Sequence, residues 1–525
     1  MADLSRREAL KYSAMVGGAA AVSGGLLACG DDDDGGEQSG AKATPEKQKK
    51  GGSLRIGAAG AGSADTIDAY AVPQGGAFRA RGQALYETLN RRVPETFELE
   101  GQLAETVEPN EAGDKWTVKL KDGMEWHNGK SIEPEDIIFS VERMLKLEAP
   151  GAARLKALSI KRMKKVDPLT LSFELDKPNR LLGDFFTPEI LPIVPVGYDP
   201  KKPVGSGPFK LKSFTPGQES VMTRFENYHG EEVFIDELRV INYDDDSARI
   251  NALLSDQVDG IAGVPASQAD VIKQSGKHEL LISEGGAWRP ITMRVDVKPF
   301  SDNKVRQAIR LMADREQMVK QALNGYGRIG NDLYGIADPL YSKEIPQREH
   351  DPEQARSLLK QAGLEGGEVT LTVAQVSPGI VEAAQVLSEN AREAGLTIKV
   401  NKVDQETLYG DQYLKWPFSS DYFTTQPVLA QVATADGPDS PYNHTHWDDP
   451  EFLALFNKAL GETDDTKLKD LLLQMQTIQH ERGGLLVWGF AYALSAHSKG
   501  VTGFVSPDKR GESFNDYEWR RASFV

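Results

Sequence analysis

The sequence predicts an α/β protein with mixed sheets, divided into more than one lobe. Three observations carry that expectation. The front half holds short alternating segments closed by tight turns, such as Trp116-Thr117-Val118-Lys119-Leu120 before Lys121-Asp122-Gly123, the pattern of paired, half-buried strands. The back half runs strand, helix, strand over Val369 to Val373, Ile380 to Ala394 and Leu396 to Val400, which calls for a right-handed parallel crossover. Its 525 residues also exceed what one hydrophobic core usually organises.

Folding signals begin at Gly51-Gly52-Ser53-Leu54-Arg55-Ile56-Gly57, a short strand ahead of a Gly/Ala loop. Ser131-Ile132-Glu133-Pro134-Glu135-Asp136 opens a helix through Leu147, with proline and acids in its first turn. Lys165-Val166-Asp167-Pro168 reads as a turn before an alternating strand that ends at Leu175. From Asn303 to Gly325, the spacing of Val305, Ile309, Met312, Met318 and Leu323 predicts one helix stopped by the glycine. Asp351-Pro352 starts another that ends at Gly363, and Lys467 to His480 is a further amphipathic helix.

The N-terminus is an address. Ser5-Arg6-Arg7-Glu8-Ala9-Leu10-Lys11 matches a twin-arginine export signal except that Ala9 replaces the usual Phe. The glycine-broken apolar stretch from Ala14 to Leu27 is too short to span a bilayer. It closes on Leu26-Leu27-Ala28-Cys29, a lipobox whose cysteine would be diacylated and become the mature N-terminus. Residues 1–28 are therefore expected to be a lipoprotein signal, and 29–50 a polar, acidic tether with no apolar side chain larger than alanine. The Asp31–Asp34 run in that tether lacks the spacing of a calcium loop.

A formal net charge of −17 excludes ordinary nucleic-acid binding, which needs Lys and Arg against phosphates. One cysteine excludes an intrachain disulfide framework and any CxxC site. No G-x-S-x-G elbow occurs, and Gly123 to Gly129-Lys130-Ser131 has one residue too many for a phosphate loop. His444-Thr445-His446 lies in a polar loop with no third histidine nearby, so no metal and no cofactor are expected. The 78 acidic residues leave a glycosidase-like carboxylate pair open.

From about Gly51 to Phe504, the order of segments resembles family 5 of the bacterial solute-binding proteins, the oligopeptide-, dipeptide- and nickel-binding lipoproteins of ABC importers. Five ordered blocks carry the resemblance: Trp116 to Met144, Val166 to Pro178, Gly205-Ser206-Gly207-Pro208-Phe209, Pro299 to Val319 and Asp351 to Gly363. The resemblance implies a periplasmic-binding-protein-like type II (cluster C) fold, with two hinged mixed-sheet lobes and an extra α/β lobe. Lobe I would comprise 51–92, 205–296 and 487–525, lobe II 93–204 and lobe III 297–486. Ligand would sit between lobes I and III, enclosed by hinge closure.

In peptide-binding relatives a strand carrying W-x-x-D pairs with the ligand backbone, and its Asp holds the ligand's α-ammonium. The corresponding run is Trp416-Pro417-Phe418-Ser419-Ser420-Asp421-Tyr422, in which Asp421 falls on the family's Asp and Phe418 on its Trp. Pro417 departs from the pattern and removes an N–H, which leaves room for another amine or a polar solute. Ala71 to Gly76 aligns with the lobe I loop that meets ligand, making Gln74 and Gly75 candidates. Trp488 and Phe490 lie on an inter-lobe strand and line either the pocket or the core.

The expected protein is a non-catalytic, extracytoplasmic, lipid-anchored monomer that captures peptides or similar solutes for an ABC permease and its ATPase subunits. It would be held at the lipid bilayer through acylated Cys29, after export directed by Arg6 and Arg7. A secreted lipoprotein hydrolase, a solute sensor and an extracytoplasmic chaperone are the alternatives.

Overall fold

The computed structural model describes residues 48–525 except 61, 72–74, 150, 156–157, 159–161, 189–190 and 438–439. The expected export signal with Arg6 and Arg7, the acylation site Cys29 and candidate Gln74 lie outside the described residues.

Three larger sheets organise the chain. In the eight-stranded sheet the order is His278–Trp288, Gly489–Ser498, Gly260–Ala262, Ser53–Ala59, Glu237–Tyr243, Glu219–Arg224 and Phe209–Thr215, with Gly327–Ile329 also paired to Gly489–Ser498. Ser53–Ala59 runs parallel to both its neighbours, and the other pairings are antiparallel. Its Leu54, Ile56 and Ala58 alternate into the core beneath helix Gly75–Leu85. That helix presents Ala77, Ala80 and Ala84, whose small side chains let it lie close to the sheet.

The four-stranded antiparallel sheet has the order Ala104–Pro109, Lys115–Leu120, Thr170–Glu174, Lys164–Asp167. Trp116, Val118 and Leu120 face inward while Lys115, Thr117 and Lys119 face water, as the alternation predicts. Lys164–Asp167 is an exposed edge strand of a hairpin rather than only a turn. Helix Pro134–Lys146 covers this region, and its buried Asp136 accepts hydrogen bonds from Glu133 N, Trp126 Nε1 and Val196 N at 3.0, 3.1 and 2.8 Å. Next to it, His127 clamps the chain where it returns to the large sheet. Its backbone N–H donates to Gly205 O at 2.8 Å, its Nε2–H to Gly207 O at 2.9 Å, and its Nδ1 accepts from Gly205 N at 3.2 Å. Burial pushes the His127 imidazole down to about 4, against the raising effect of the Gly207 contact. The ring is therefore neutral at physiological pH, and one tautomer serves both ring contacts.

The five-stranded sheet has the order Thr397–Lys402, Glu368–Val373, Phe418–Ser420, Ile291–Met293, Leu485–Leu486. Glu368–Val373 is parallel to both neighbours, with helix Ile380–Glu393 forming the expected crossover. The helix expected over 303–325 is two helices, Asn303–Met312 and Arg315–Ala322. Ala313 and Asp314 are extended between them, and the Asp314 carboxylate accepts from Gln317 N at 2.9 Å. This N-cap outweighs the continuing apolar period.

The chain passes between the eight- and five-stranded sheets four times: at 289–290, between Met293 and Gly327, between Ile329 and Glu368, and at 487–488. The last passage follows helix Asp465–Arg482, whose last carbonyls need donors. Arg306 supplies them to Gly483 O and Arg482 O at 3.1 and 2.6 Å, and fully buried Arg310 to Leu485 O and His480 O at 2.8 and 3.1 Å. Desolvation pushes both guanidinium groups down, Arg306 to about 10 and Arg310 to about 9. Both remain cationic at neutral pH and complement the helix C-terminus. No helix among the described residues is long and apolar enough to cross a membrane.

Candidate ligand-binding site

In open α/β sheets, ligands bind beyond the carboxyl ends of parallel strands, where no side chain of the sheet itself blocks approach. On the five-stranded sheet that edge is formed by 374–379 after Glu368–Val373, by 421–425 after Phe418–Ser420, and by Arg289 just before Ile291–Met293. On the eight-stranded sheet it is formed by the residues after Ala59, Tyr243 and Ala262.

The first edge is built around Asp421, which is 1% exposed. Its Oδ1 accepts from Tyr409 OH and Tyr422 N, both at 2.8 Å, and its Oδ2 from Tyr413 OH at 3.4 Å. His444 Nε2 stands 3.0 Å from Oδ2 but off the line of a hydrogen bond. Aromatic rings continue from this point. Tyr413 meets His444 edge-on at 5.3 Å, His444 meets Phe423 at 6.2 Å, Phe423 stacks on Trp288 at 4.5 Å, and Trp288 meets Tyr334 at 5.3 Å. The chain of rings ends where Tyr334 OH donates to buried Asp436 at 2.6 Å. Burial pushes the Asp436 carboxyl up to about 6, although Tyr334 and Gln479 hydrogen bonds oppose that shift.

The second edge is organised by a left-handed turn. Phe514, Asn515, Asp516 and Tyr517 all have φ between 51° and 60°, a conformation costing roughly 1–2 kcal/mol per non-glycine residue. Asn515 holds the turn by accepting from Val505 N at 2.7 Å and donating to Val505 O at 2.8 Å. The turn places Asp516 against Arg79 at 3.0 Å and brings Tyr517 OH close to Gly76. Glu512 reaches the same Arg79 at 3.3 Å. Gly75 opens helix Gly75–Leu85 with φ +78, and a Cβ there would lie 2.7 Å from Ala59 O, so only glycine fits.

The two edges meet through small residues. Gly286 N donates to Thr425 Oγ1 at 2.9 Å, and an added Cβ on Gly285 would lie 2.1 Å from Gly511 Cα and 2.7 Å from Thr425 Oγ1. A buried ion pair between Arg81 and Asp65, with Asn242 Nδ2 donating to Asp65 at 2.7 Å, fixes the loop after Ala59. A cavity of about 120 Å³ lies beside this loop, lined by Thr66, Tyr70, Arg79, Gln83, Tyr86 and Met144 among others.

The structure separates the residues singled out from sequence. Asp421, Tyr422 and half-buried Trp416 gather at the first edge, and Trp416 Nε1 donates to Leu408 O at 3.1 Å. Exposed Gly75 sits at the second edge. Phe418, Ser419 and Trp488 are core residues. Phe418 is 1% exposed and packs on Phe300 at 4.9 Å, Ser419 shares a 3.0 Å hydrogen bond with Thr292, and Trp488 is 1% exposed. The reason is positional: Phe418–Ser420 is an inner strand, paired to Ile291–Met293 on one side and to Glu368–Val373 on the other. Its backbone has no free edge for a ligand strand. Phe490 is likewise buried. His444 Nε2 faces Asp421, and His446 lies 3.3 Å from Asp296. Among the described residues, no group of three or more His, Cys, Asp or Glu could hold a metal ion.

Sequence reasoning missed Tyr409, Tyr413, His444 as a partner of Asp421, Arg289 and the turn at 514–517. Only the Tyr409-x-x-x-Tyr413 spacing gave a local signal, since it puts two phenols within one turn of each other.

Residues 98–443 match the family model described as bacterial extracellular solute-binding proteins, family 5 Middle. Among curated proteins, the chain is similar to the dipeptide-binding protein of Escherichia coli (strain K12), 24% identical over 493 residues, 85% of this chain and 90% of the relative. It is also similar to heme-binding protein A of Haemophilus influenzae, 23% identical over 476 residues, 83% of this chain and 86% of the relative. The fold is shared with the ABC transporter substrate binding protein CtaP from Listeria monocytogenes, with a TM-score of 0.78, 20% identity, and 91% of this chain and 100% of that one covered.

Proposed function

Because the chain belongs to the bacterial extracellular solute-binding proteins of family 5 and has their type II α/β fold, we propose that it captures a small solute for an ABC importer. Peptides or similar solutes are the class proposed, held between the carboxyl ends of the eight- and five-stranded sheets and passed unchanged to a membrane permease. The observation that carries this reading is the convergence of the two edges at Thr425, Gly286 and Gly511, beside the short chain passages between their sheets at 289–290 and 487–488. A solute that touches both edges only when they approach shifts the balance toward the closed form by that difference in contact. Gln74, Gly75, Trp416, Asp421 and Tyr422 remain the proposed contacts. Phe418, Ser419 and Trp488 act behind them as packing.

Arg6 and Arg7 would direct export, and acylated Cys29 would hold a monomeric binding protein outside the cytoplasm, at the lipid bilayer. Cys29→Ala is expected to move the protein from the membrane to the soluble fraction. The central test is mass spectrometry of solute released from purified protein, followed by thermal-shift and small-angle scattering measurements with that solute. Stabilisation with a more compact scattering profile is the expected result. A broad solute panel that changed neither melting nor scattering would remove the proposal, and turnover of a bound peptide or glycoside would redirect it to a hydrolase.

A further inference from the structure

From its position and its unspent donors, we infer that Arg289 holds a carboxylate of the bound solute, an assignment that rests on the solute-binding reading. Arg289 lies on the first passage between the sheets, between Trp288, the last residue of one strand, and the strand Ile291–Met293. Its side chain reaches the loop at the carboxyl end of Glu368–Val373, where Nε–H donates to Pro378 O at 2.7 Å. A guanidinium carries five N–H donors. Among the described residues, neither Nη of Arg289 has a hydrogen-bond or ion-pair partner.

Other buried arginines are matched to protein acceptors, although Arg81 Nε, Arg315 Nε and Arg510 Nη2 are left without a hydrogen bond. Arg81 pairs with Asp65, Arg315 makes a two-pronged contact to Asp332 at 2.8 and 2.9 Å, and Arg510 pairs with Glu518 at 3.0 Å. Arg306 and Arg310 use their donors on backbone carbonyls. Arg289 differs in being half-buried with one acceptor. Desolvation pushes its guanidinium down to about 10, and the Tyr422 phenol is the titratable group that acts on it in the opposite direction. It stays charged at neutral pH, and among the described residues no carboxylate acts on it.

A partly desolvated cation with idle donors is costly to keep, and an arriving anion recovers that cost through charge-assisted bonds. The Nε contact to Pro378 fixes the plane of the group, so the two Nη are presented as a fork suited to a planar carboxylate. A solute held by Arg289 bears directly on a passage between the two halves.

The test uses purified full-length chain and matched acid and amide probes: dialanine and its amide, tetra-alanine and its amide, glutarate and glutaramide. Calorimetry should find the acid form of a binding pair tighter than its amide by about 10- to 100-fold. Arg289→Gln should bring that ratio close to one without changing the melting temperature of the unliganded protein, and Arg289→Lys should keep part of it. Equal binding of acid and amide by the unaltered protein, or an undiminished ratio in Arg289→Gln, overturns the assignment and leaves the binding function standing. If neither form of any pair binds and the solutes of the wider panel also fail, the assignment and the solute-binding reading fall together.

Discussion

His444 Nε2 stands 3.0 Å from Asp421 Oδ2, on the side of the carboxylate that also receives Tyr413 OH. Asp421 is thus an internal acceptor for groups from several segments of the chain. Asp421→Ala would leave the buried Tyr409 hydroxyl and Tyr422 N–H without their acceptor and is expected to cost about 2–4 kcal/mol in urea unfolding. Asp421→Asn, which keeps an oxygen for Tyr409, should cost about half as much. If Asp421→Ala instead kept full stability, the carboxylate would serve the ligand alone and not the scaffold as well.

Phe423 stacks on Trp288 with planes 13° apart, joining the five-stranded sheet's edge to the last residue of a strand in the eight-stranded sheet. Phe423 N and O also exchange hydrogen bonds with Trp288 O and N at 2.8 and 3.0 Å. Phe423→Ala should cost about 3–5 kcal/mol, as expected for deleting a buried ring that leaves a cavity. Tryptophan fluorescence during urea titration should follow that loss. An effect under about 1 kcal/mol would mean that the ring stack is not part of the junction's stability.

Two glycines on either side of one contact should respond oppositely to alanine. A Cβ on Gly205 would lie 1.8 Å from Leu85 O, a backbone atom that cannot rotate away. Gly205→Ala is therefore expected to cost more than about 3 kcal/mol or to prevent folding. Gly82, inside helix Gly75–Leu85, has nothing within 4 Å of an added Cβ. Gly82→Ala should stabilise by about 0.5–1 kcal/mol through helix propensity and a less flexible unfolded chain. Calorimetric melting of the two variants checks both signs.

The sequence made the strands legible wherever period alone decides, as at Lys115–Leu120 and Glu368–Val373, because alternation and burial coincide there. It misread 303–325 because the apolar stripe continues through Asp314, whose capping of Gln317 is a local contact that the period does not register. Phe418 is placed at the ligand by its position in a family motif, but its neighbours on both sides are strands far away in sequence. Arg289 carries no local signal at all: its meaning comes from Pro378, 89 residues away, and from the absence, among the described residues, of an acid that acts on it. The Asp421 cluster was half legible, since the carboxylate was marked but three of its partners, Tyr409, Tyr413 and His444, were not.

Two buried groups should give the protein a pH dependence that is visible only when one of them is removed. The Asp436 carboxyl is raised from its ordinary value to about 6, so the folded state holds a proton that the unfolded chain releases near pH 4. Its contribution is fully present below the unfolded value and is lost as pH rises through about 6. His127 is lowered to about 4, so the unfolded chain takes up a proton near pH 6.5 that the folded state refuses. Its contribution is fully present above the unfolded value and is lost as pH falls toward about 4. Each shift corresponds to roughly 3 kcal/mol across its window, and the two slopes oppose each other between about pH 4 and 6. The protein as it stands should therefore show little net slope from this pair. Asp436→Asn should expose the histidine's slope, with stability rising with pH, and should gain most at pH 7 and above. His127→Gln should expose the carboxyl's slope, with stability falling as pH rises from 4 to 6. Urea midpoints measured at half-unit intervals in both variants decide it, and identical slopes in the two would show that neither group sets the profile.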